Sequence, residues 1–229
     1  MYNVRDLGGL PTRNGGTTRW GALVRSEGLN WLAPEGWETL HAHGVRTCID
    51  LRSGFETDKG PYRPAVAGID AVAAPWEEGL LDDPTFCDWA LSGVLSTALY
   101  FAPFLERWPE RTAATVRAVA AARPGGVLYH CERGRDRTGL LTILLLLLVG
   151  VPHDVILADH LVTDARLVSH GVALGHVSLD GEAEVYAARG TTAEATLRSL
   201  LDTLDAERYL LDAGMTTDEL AALRKRLVA

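Results

Sequence analysis

The chain has 229 residues, 47% hydrophobic and 23% charged, with 23 glycines and 10 prolines. This composition excludes extended disorder, collagen-like repeats and a coiled coil, and the length predicts one domain (1–229) with a sizeable buried core. Asp and Glu outnumber Lys and Arg 30 to 22. The resulting charge of −8 argues against nucleic-acid binding and against docking on an acidic membrane. Cys48, Cys87 and Cys131 are too few and too scattered for a disulfide framework or a zinc site. No metal and no cofactor are expected. The N-terminus lacks the apolar core of a signal peptide. The longest apolar run, Leu140 to Val149, falls short of the roughly 20 residues a membrane span needs, so a cytoplasmic protein is expected.

Glycine-punctuated β-like segments open the chain and end with Ala22 to Arg25. Pro34 to His43 predicts a helix, with Pro in its first turn and Gly44 ending it. Val45 to Leu51 and Ile69 to Ala74 read as buried strands, separated by a polar turn region from Ser53 to Pro64. Pro75 to Pro84 carries four carboxylates and reads as a surface loop. Thr85 to Leu105 predicts one or two helices, and Trp108-Pro109 opens another over Glu110 to Ala122. Val127 to His130 is a short buried strand, followed by a loop and a long apolar helix from Thr138 to Val149. This alternation implies an α/β fold with a mainly parallel central sheet flanked by helices. From Asp164 to about Thr191 the chain turns irregular and glycine-rich, reading either as a lid over the site (165–192) or as a surface excursion. Helical periodicity returns at Ala193 to Leu211, and Thr216 caps a final helix. The six tryptophans are expected in the core and pocket walls.

The chemistry concentrates in His130-Cys131-Glu132-Arg133-Gly134-Arg135-Asp136-Arg137-Thr138-Gly139. Cys-x5-Arg alone is a weak pattern in a chain with 20 arginines. Its position, leaving a buried strand and entering a long helix, gives it force. A loop there can wrap its peptide N–H groups around one tetrahedral anion at the helix N-terminus. Glu132, Arg133, Gly134, Arg135, Asp136, Arg137 and Thr138 are the candidate phosphate-binding residues. Gly134 permits the curvature without a Cβ obstructing the anion, and Arg137 can fork onto two phosphoryl oxygens. The same field favours a thiolate on Cys131, the candidate nucleophile. Thr138 can donate to the sulfur, and His130 can orient the loop.

This segment is similar to the phosphate-binding loop of the protein tyrosine phosphatases, in particular the bacterial atypical tyrosine/serine (dual-specificity) branch with HCxxGKDRTG loops. Asn3 to Gly9 resembles that branch's NFRDLGG opening, Gly21 to Ser26 its GxLYRS step, and Asp50-Leu51-Arg52-Ser53 with Glu56 its DLRSxxE strand end. Gly150-Val151-Pro152, Ala158 to Leu161 and the tail from Tyr209 to Leu227 also match in order. The resemblance implies hydrolysis of phosphate monoesters through a cysteinyl-phosphate intermediate, on a phosphorylated protein or a small-molecule phosphate ester. Arg135 stands where the branch has Lys, and Arg133 where a small residue is common; both favour a strongly anionic ligand. A rhodanese-like sulfurtransferase and a non-catalytic phosphate-binding module are the rival readings.

Phosphoester cleavage also needs a proton for the leaving oxygen. The resemblance implies Asp136, whose alternative role is to neutralise Arg135 or Arg137. Asp82 and Asp83, on the acidic loop after the Ile69–Ala74 strand, are the alternative acids. Asp50, Arg52, Arg5 and Arg25 either support the pocket or form structural ion pairs. Glu110 reads as a helix start, and His153-Asp154 and Asp159-His160 as surface residues at a helix start.

Overall fold

The computed structural model describes residues 1–173 and 181–229. In chain order its elements are β1 (Arg5–Asp6), β2 (Leu23–Ser26), α1 (Pro34–Ala42), β3 (Val45–Asp50), α2 (Gly54–Lys59), β4 (Asp70–Ala73), α3 (Pro84–Leu91), α4 (Phe101–Arg107), α5 (Pro109–Ala121), β5 (Gly126–His130), α6 (Asp136–Leu148), α7 (His153–Ala173), α8 (Glu182–Ala187), α9 (Ala193–Thr203), α10 (Ala206–Asp212) and α11 (Thr217–Leu227). The strands form one sheet in the order β1-β2-β5-β3-β4. Only β1 is antiparallel to its neighbour, so the α/β fold with a mainly parallel sheet is present as expected.

Burial explains the central strands. VRTCID and GVLYH are apolar enough to be covered on both faces, as parallel strands between helices must be. Their alternation divides the interior. Val127 and Tyr129 enter the larger core with α4, α5 and α6, whereas Leu128 joins Val24, Trp37, Leu40, Val45 and Cys48 beneath α1. Helix α6 is apolar around its whole circumference and is buried accordingly. The parallel register aligns Ser26 with His130 and Asp50 with His130. All three chain exits therefore meet at one edge, where α/β sheets hold their ligands.

Several expectations need correction. The polar Ser53–Pro64 segment contains α2, which has one large apolar residue, Phe55, and so shows no apolar period; a capping box between Ser53 and Glu56 starts it. The chain after Asp164 is not irregular throughout, because α7 runs on to Ala173 and α8 follows; the rest of the expected lid, 174–180, lies outside the described residues. Ala193 to Leu211 is two helices, broken where Asp205 caps the second. Trp20 and Trp31 are exposed rather than in the core. Asp159-His160 sits inside α7, His160 buried and Asp159 half-buried, not on the surface. No described helix is long and apolar enough to cross a membrane.

Candidate active site

Cys131 follows the last residue of β5 and is buried at the start of the loop that feeds α6. Neighbouring groups hold the loop's carbonyls. The Gly28 N–H donates to Glu132 O at 2.9 Å, and Asn3 Nδ2 donates to the Arg133 and Gly134 oxygens at 3.0 and 3.2 Å. Arg25 Nη2 adds a bond to Gly134 O at 2.8 Å. Among the described residues, nothing accepts from the peptide N–H groups of Glu132 through Arg137. Carbonyls tied down and N–H groups left free form a concave cluster of donors, the backbone form of an anion site. Gly134 has φ +68°, and a Cβ there would lie 2.4 Å from Ser26 O. Glycine is thus required by close packing on β2, a different reason from the clearance for an anion expected above.

Arg137, on the first turn of α6, is aimed by carboxylates. Its Nη1 and Nη2 donate to Glu56 Oε2 and Oε1 at 2.5 and 2.7 Å, and its Nε lies 3.4 Å from Glu77 Oε2. The Ser53 N–H and hydroxyl donate to Glu56 Oε2 in turn. The guanidinium and these bonds pull the Glu56 carboxyl down to about 2, against its burial. Burial instead pushes the Glu77 carboxyl up, with Glu56 and Asp136 adding repulsion and Arg137 opposing. Glu56, Glu77, Tyr100, Asp136 and Arg137 line a cavity of about 270 Å³, whose remaining wall is largely apolar: Phe55, Leu81, Phe86, Ala90 and Leu95.

The other residues singled out in the sequence divide into supports and bystanders. Asp50 and Arg52 are a buried ion pair, Nη2–Oδ2 2.9 Å, and Arg52 also reaches Gly60 O and Glu132. Burial lowers the His130 imidazole. Its neutral ring pairs with the Tyr62 hydroxyl at 2.8 Å and the Cys131 carbonyl at 3.1 Å, an arrangement that orients the loop entrance. Thr138 Oγ1 is buried, but no hydrogen bond joins it to the sulfur. Arg135 is already engaged by Asp136 at 3.0 Å, Glu182 of α8 at 2.5 Å, Asp164 and the Ser96 carbonyl. Its side chain is therefore not available to draw in an anionic ligand, and Arg133 points partly to solvent near the same Glu182.

Asp82 and Asp83 do not line the cavity. Asp83 caps α3 through the Thr85 and Phe86 N–H groups and pairs with Arg107, while Asp82 is exposed. Arg5 and Arg25 both bind Asp159 at 2.6 Å, a buried cluster behind the loop. Cys48 lies in the smaller core, where burial pushes its thiol up to about 12, and the Cys87 thiol donates to Leu81 O. Glu77 is the site residue that sequence reasoning missed. It sat unmarked among the four acids of Pro75–Pro84, and only its place after β4 would have separated it from them. No described cluster of His, Cys, Asp and Glu has the arrangement of a metal site.

A strand-end loop of free amides, a cysteine at its entrance and a carboxylate-aimed arginine at its exit define the class of cysteine-dependent phosphatases. The sequence model of the tyrosine phosphatase family matches residues 1–229, and the chain belongs to that family. It is 34% identical over 224 residues to a tyrosine-protein phosphatase of Nostoc commune, covering 90% of this chain and 74% of that one. It is 31% identical over 188 residues to the triple specificity protein phosphatase PtpB of Mycobacterium tuberculosis, covering 70% and 66%. A Cupriavidus necator protein that also carries a tyrosine-protein phosphatase name is 30% identical over 231 residues, covering 93% and 77%. Family membership sets aside the sulfurtransferase and the non-catalytic module.

Proposed function

We propose that this phosphatase acts on phosphotyrosyl and related aryl phosphate esters, with Cys131 as nucleophile and Arg137 and the loop amides as the phosphoryl cradle. The observation that carries the reading is the run of N–H groups from Glu132 to Arg137, beginning beside Cys131, that no described residue engages. The Cys131 sulfur attacks phosphorus, forming the S–P bond as the P–O bond to the aryl oxygen breaks. The amides and Arg137 hold the equatorial oxygens, where charge must be stabilised in the transition state. Water then attacks phosphorus, the S–P bond breaks and inorganic phosphate leaves. The aromatic and aliphatic walls of the cavity favour a ring on the leaving side. The relatives' names, tyrosine-protein and triple specificity phosphatase, support a phosphorylated substrate.

The leaving oxygen needs a proton, and three carboxyls share the cavity with Arg137; the guanidinium holds Glu56 ionised, which leaves Asp136 and Glu77. Asp136, the acid implied by the sequence, is committed to Arg135 at 3.0 Å. Glu77 is raised by burial and by both neighbouring carboxylates. A phosphate arriving at Arg137 would add a further negative charge beside it, so Glu77 is assigned as the proton donor and Asp136 as a support for Arg135.

Replacing Cys131 by Ser tests the nucleophile. Turnover of para-nitrophenyl phosphate and of a phosphotyrosyl peptide should vanish while tungstate still binds. Full turnover in Cys131→Ser overturns the assignment. A kcat/KM for sugar or nucleoside phosphates above that for the phosphotyrosyl peptide overturns the aryl preference.

A further inference from the structure

A cavity lies at the opposite end of the sheet from Cys131, around the strand β5 entrance. It measures about 610 Å³ and is lined by Arg19, Trp20, His43, Lys225 and Arg226 together with small residues, and no Asp or Glu is among its lining. In a chain of net charge −8, this concentration of positive charge is local and one-sided.

The two arginines are fixed in place without a carboxylate partner among the described residues. Arg19 Nη2 donates to Val228 O at 2.8 Å and Lys225 O at 3.4 Å. Arg226 donates to Gly125 O at 2.8 Å, to Arg123 O at 3.2 Å and to Ala122 O. Carbonyls orient a guanidinium but leave its charge uncompensated. Burial lowers Arg226 accordingly, with no acidic group acting against it. The carboxylate of Asp6, which holds the lining residue His43 at 2.5 Å, is already used on the Gly8 and Gly21 N–H groups.

Trp20 supplies the other half of a site. Its indole rests on Gly8-Gly9: a Cβ at Gly8 would lie 2.8 Å from the ring, and one at Gly9 equally close. The side chain nonetheless remains 69% exposed. An indole supported on one face and open on the other is a stacking platform.

We propose that this cavity is a second ligand site that takes a mononucleotide, its base stacked on Trp20 and its phosphate held by Arg19, Lys225 and Arg226. The cavity has more than twice the volume of the one beside Arg137, about 610 against 270 Å³, room for base and ribose beyond a single phosphorylated ring. The three cations match a dianionic phosphate.

The test follows the Trp20 indole N–H resonance, assigned through Trp20→Phe, in the full chain carrying Cys131→Ser so that the probe survives. Adenosine 5′-monophosphate should move this resonance saturably, and Lys225→Glu should weaken binding about fivefold to tenfold, the loss of one exposed charge contact together with a new repulsion. High salt should weaken it further. Adenosine and inorganic phosphate, titrated separately, should each bind more weakly than the nucleotide. The proposal is overturned if the resonance stays still at millimolar nucleotide, if adenosine or phosphate alone matches the nucleotide, or if Lys225→Glu binds as the parent does. The readout is local to Trp20, so it does not depend on the assignment of Cys131.

Discussion

Arg137 and Glu56 meet through two parallel hydrogen bonds, Nη1–Oε2 at 2.5 Å and Nη2–Oε1 at 2.7 Å. A fork held on both tines cannot swing, so the remaining donor edge keeps one direction. Glu56→Gln should reduce kcat/KM by about 10- to 100-fold through misplacement of Arg137, with tungstate affinity falling in parallel. The pair also sets an acid limit. Its carboxyl lies near 2 in the folded protein against 4.5 when free. Its contribution, roughly 2–3 kcal/mol, is complete above about pH 4.5 and is lost as pH falls towards 2. Urea midpoints over that range should fall less steeply for Glu56→Gln than for the parent.

Glu77→Gln separates the two acid candidates. A general acid must be protonated to act, so the rate falls as pH rises past its ionisation. For a phosphotyrosyl peptide, whose leaving oxygen needs the proton, kcat should drop about 100-fold or more. The alkaline limb of the kcat profile should flatten. An activated ester such as para-nitrophenyl phosphate should lose far less. Asp136→Asn should leave the shape of the profile intact. A flattened limb in Asp136→Asn and not in Glu77→Gln would return the role to Asp136.

Gly134→Ala should disable the loop without unfolding the protein. The left-handed backbone costs about 1–2 kcal/mol for a residue with a Cβ, and the new methyl would meet the Ser26 carbonyl at 2.4 Å and the Glu27 nitrogen at 2.6 Å. Because that neighbour is backbone, the loop must shift, and kcat/KM should fall by about 100-fold. Gly15→Ala is the control: φ is +82° but nothing lies within 4 Å, so it should bear the backbone strain alone and keep its activity.

The parts legible in the sequence were those with a local signature. The Cys131 to Arg137 loop, the apolar α6 and the strands β3 and β5 carry their own spacing and burial patterns. Glu77 had none, because a carboxylate on an acidic loop looks the same whether the fold turns it to solvent or over a neighbouring loop. Asp159 reads as polar surface until Arg5 and Arg25, far away in sequence, close on it from β1 and β2. Arg135 looked like a ligand contact because its partner Glu182 lies 47 positions on. The capping box of Ser53 and Glu56 was a local signal and pointed to α2, yet the segment's polarity masked it.

His160 carries the last expectation. It is buried in α7, edge-on to Phe101, and its Nδ1 has no partner among the described residues. Gly139 makes room for it, since a Cβ there would lie 2.6 Å from the ring. Burial, with Arg25 adding repulsion, drives the imidazole down to about 3 from 6.5. Between those values the unfolded chain binds a proton that the folded chain refuses, so stability declines as pH falls, by up to about 1.4 kcal/mol per pH unit. The decline should begin below pH 6.5. His130, the other buried imidazole held low, shares this decline, so His160→Leu should lessen the slope of the urea midpoints between pH 6.5 and 5 without abolishing it. Protonation at His160 would also add a cation beside Arg25, whose guanidinium holds the Gly134 carbonyl at 2.8 Å. The folded chain keeps the ring neutral until the pH nears 3, so oxyanion binding by Cys131→Ser should hold between pH 6.5 and 5 while stability declines, and a parallel loss of affinity there would mean that this histidine is protonated in the folded state.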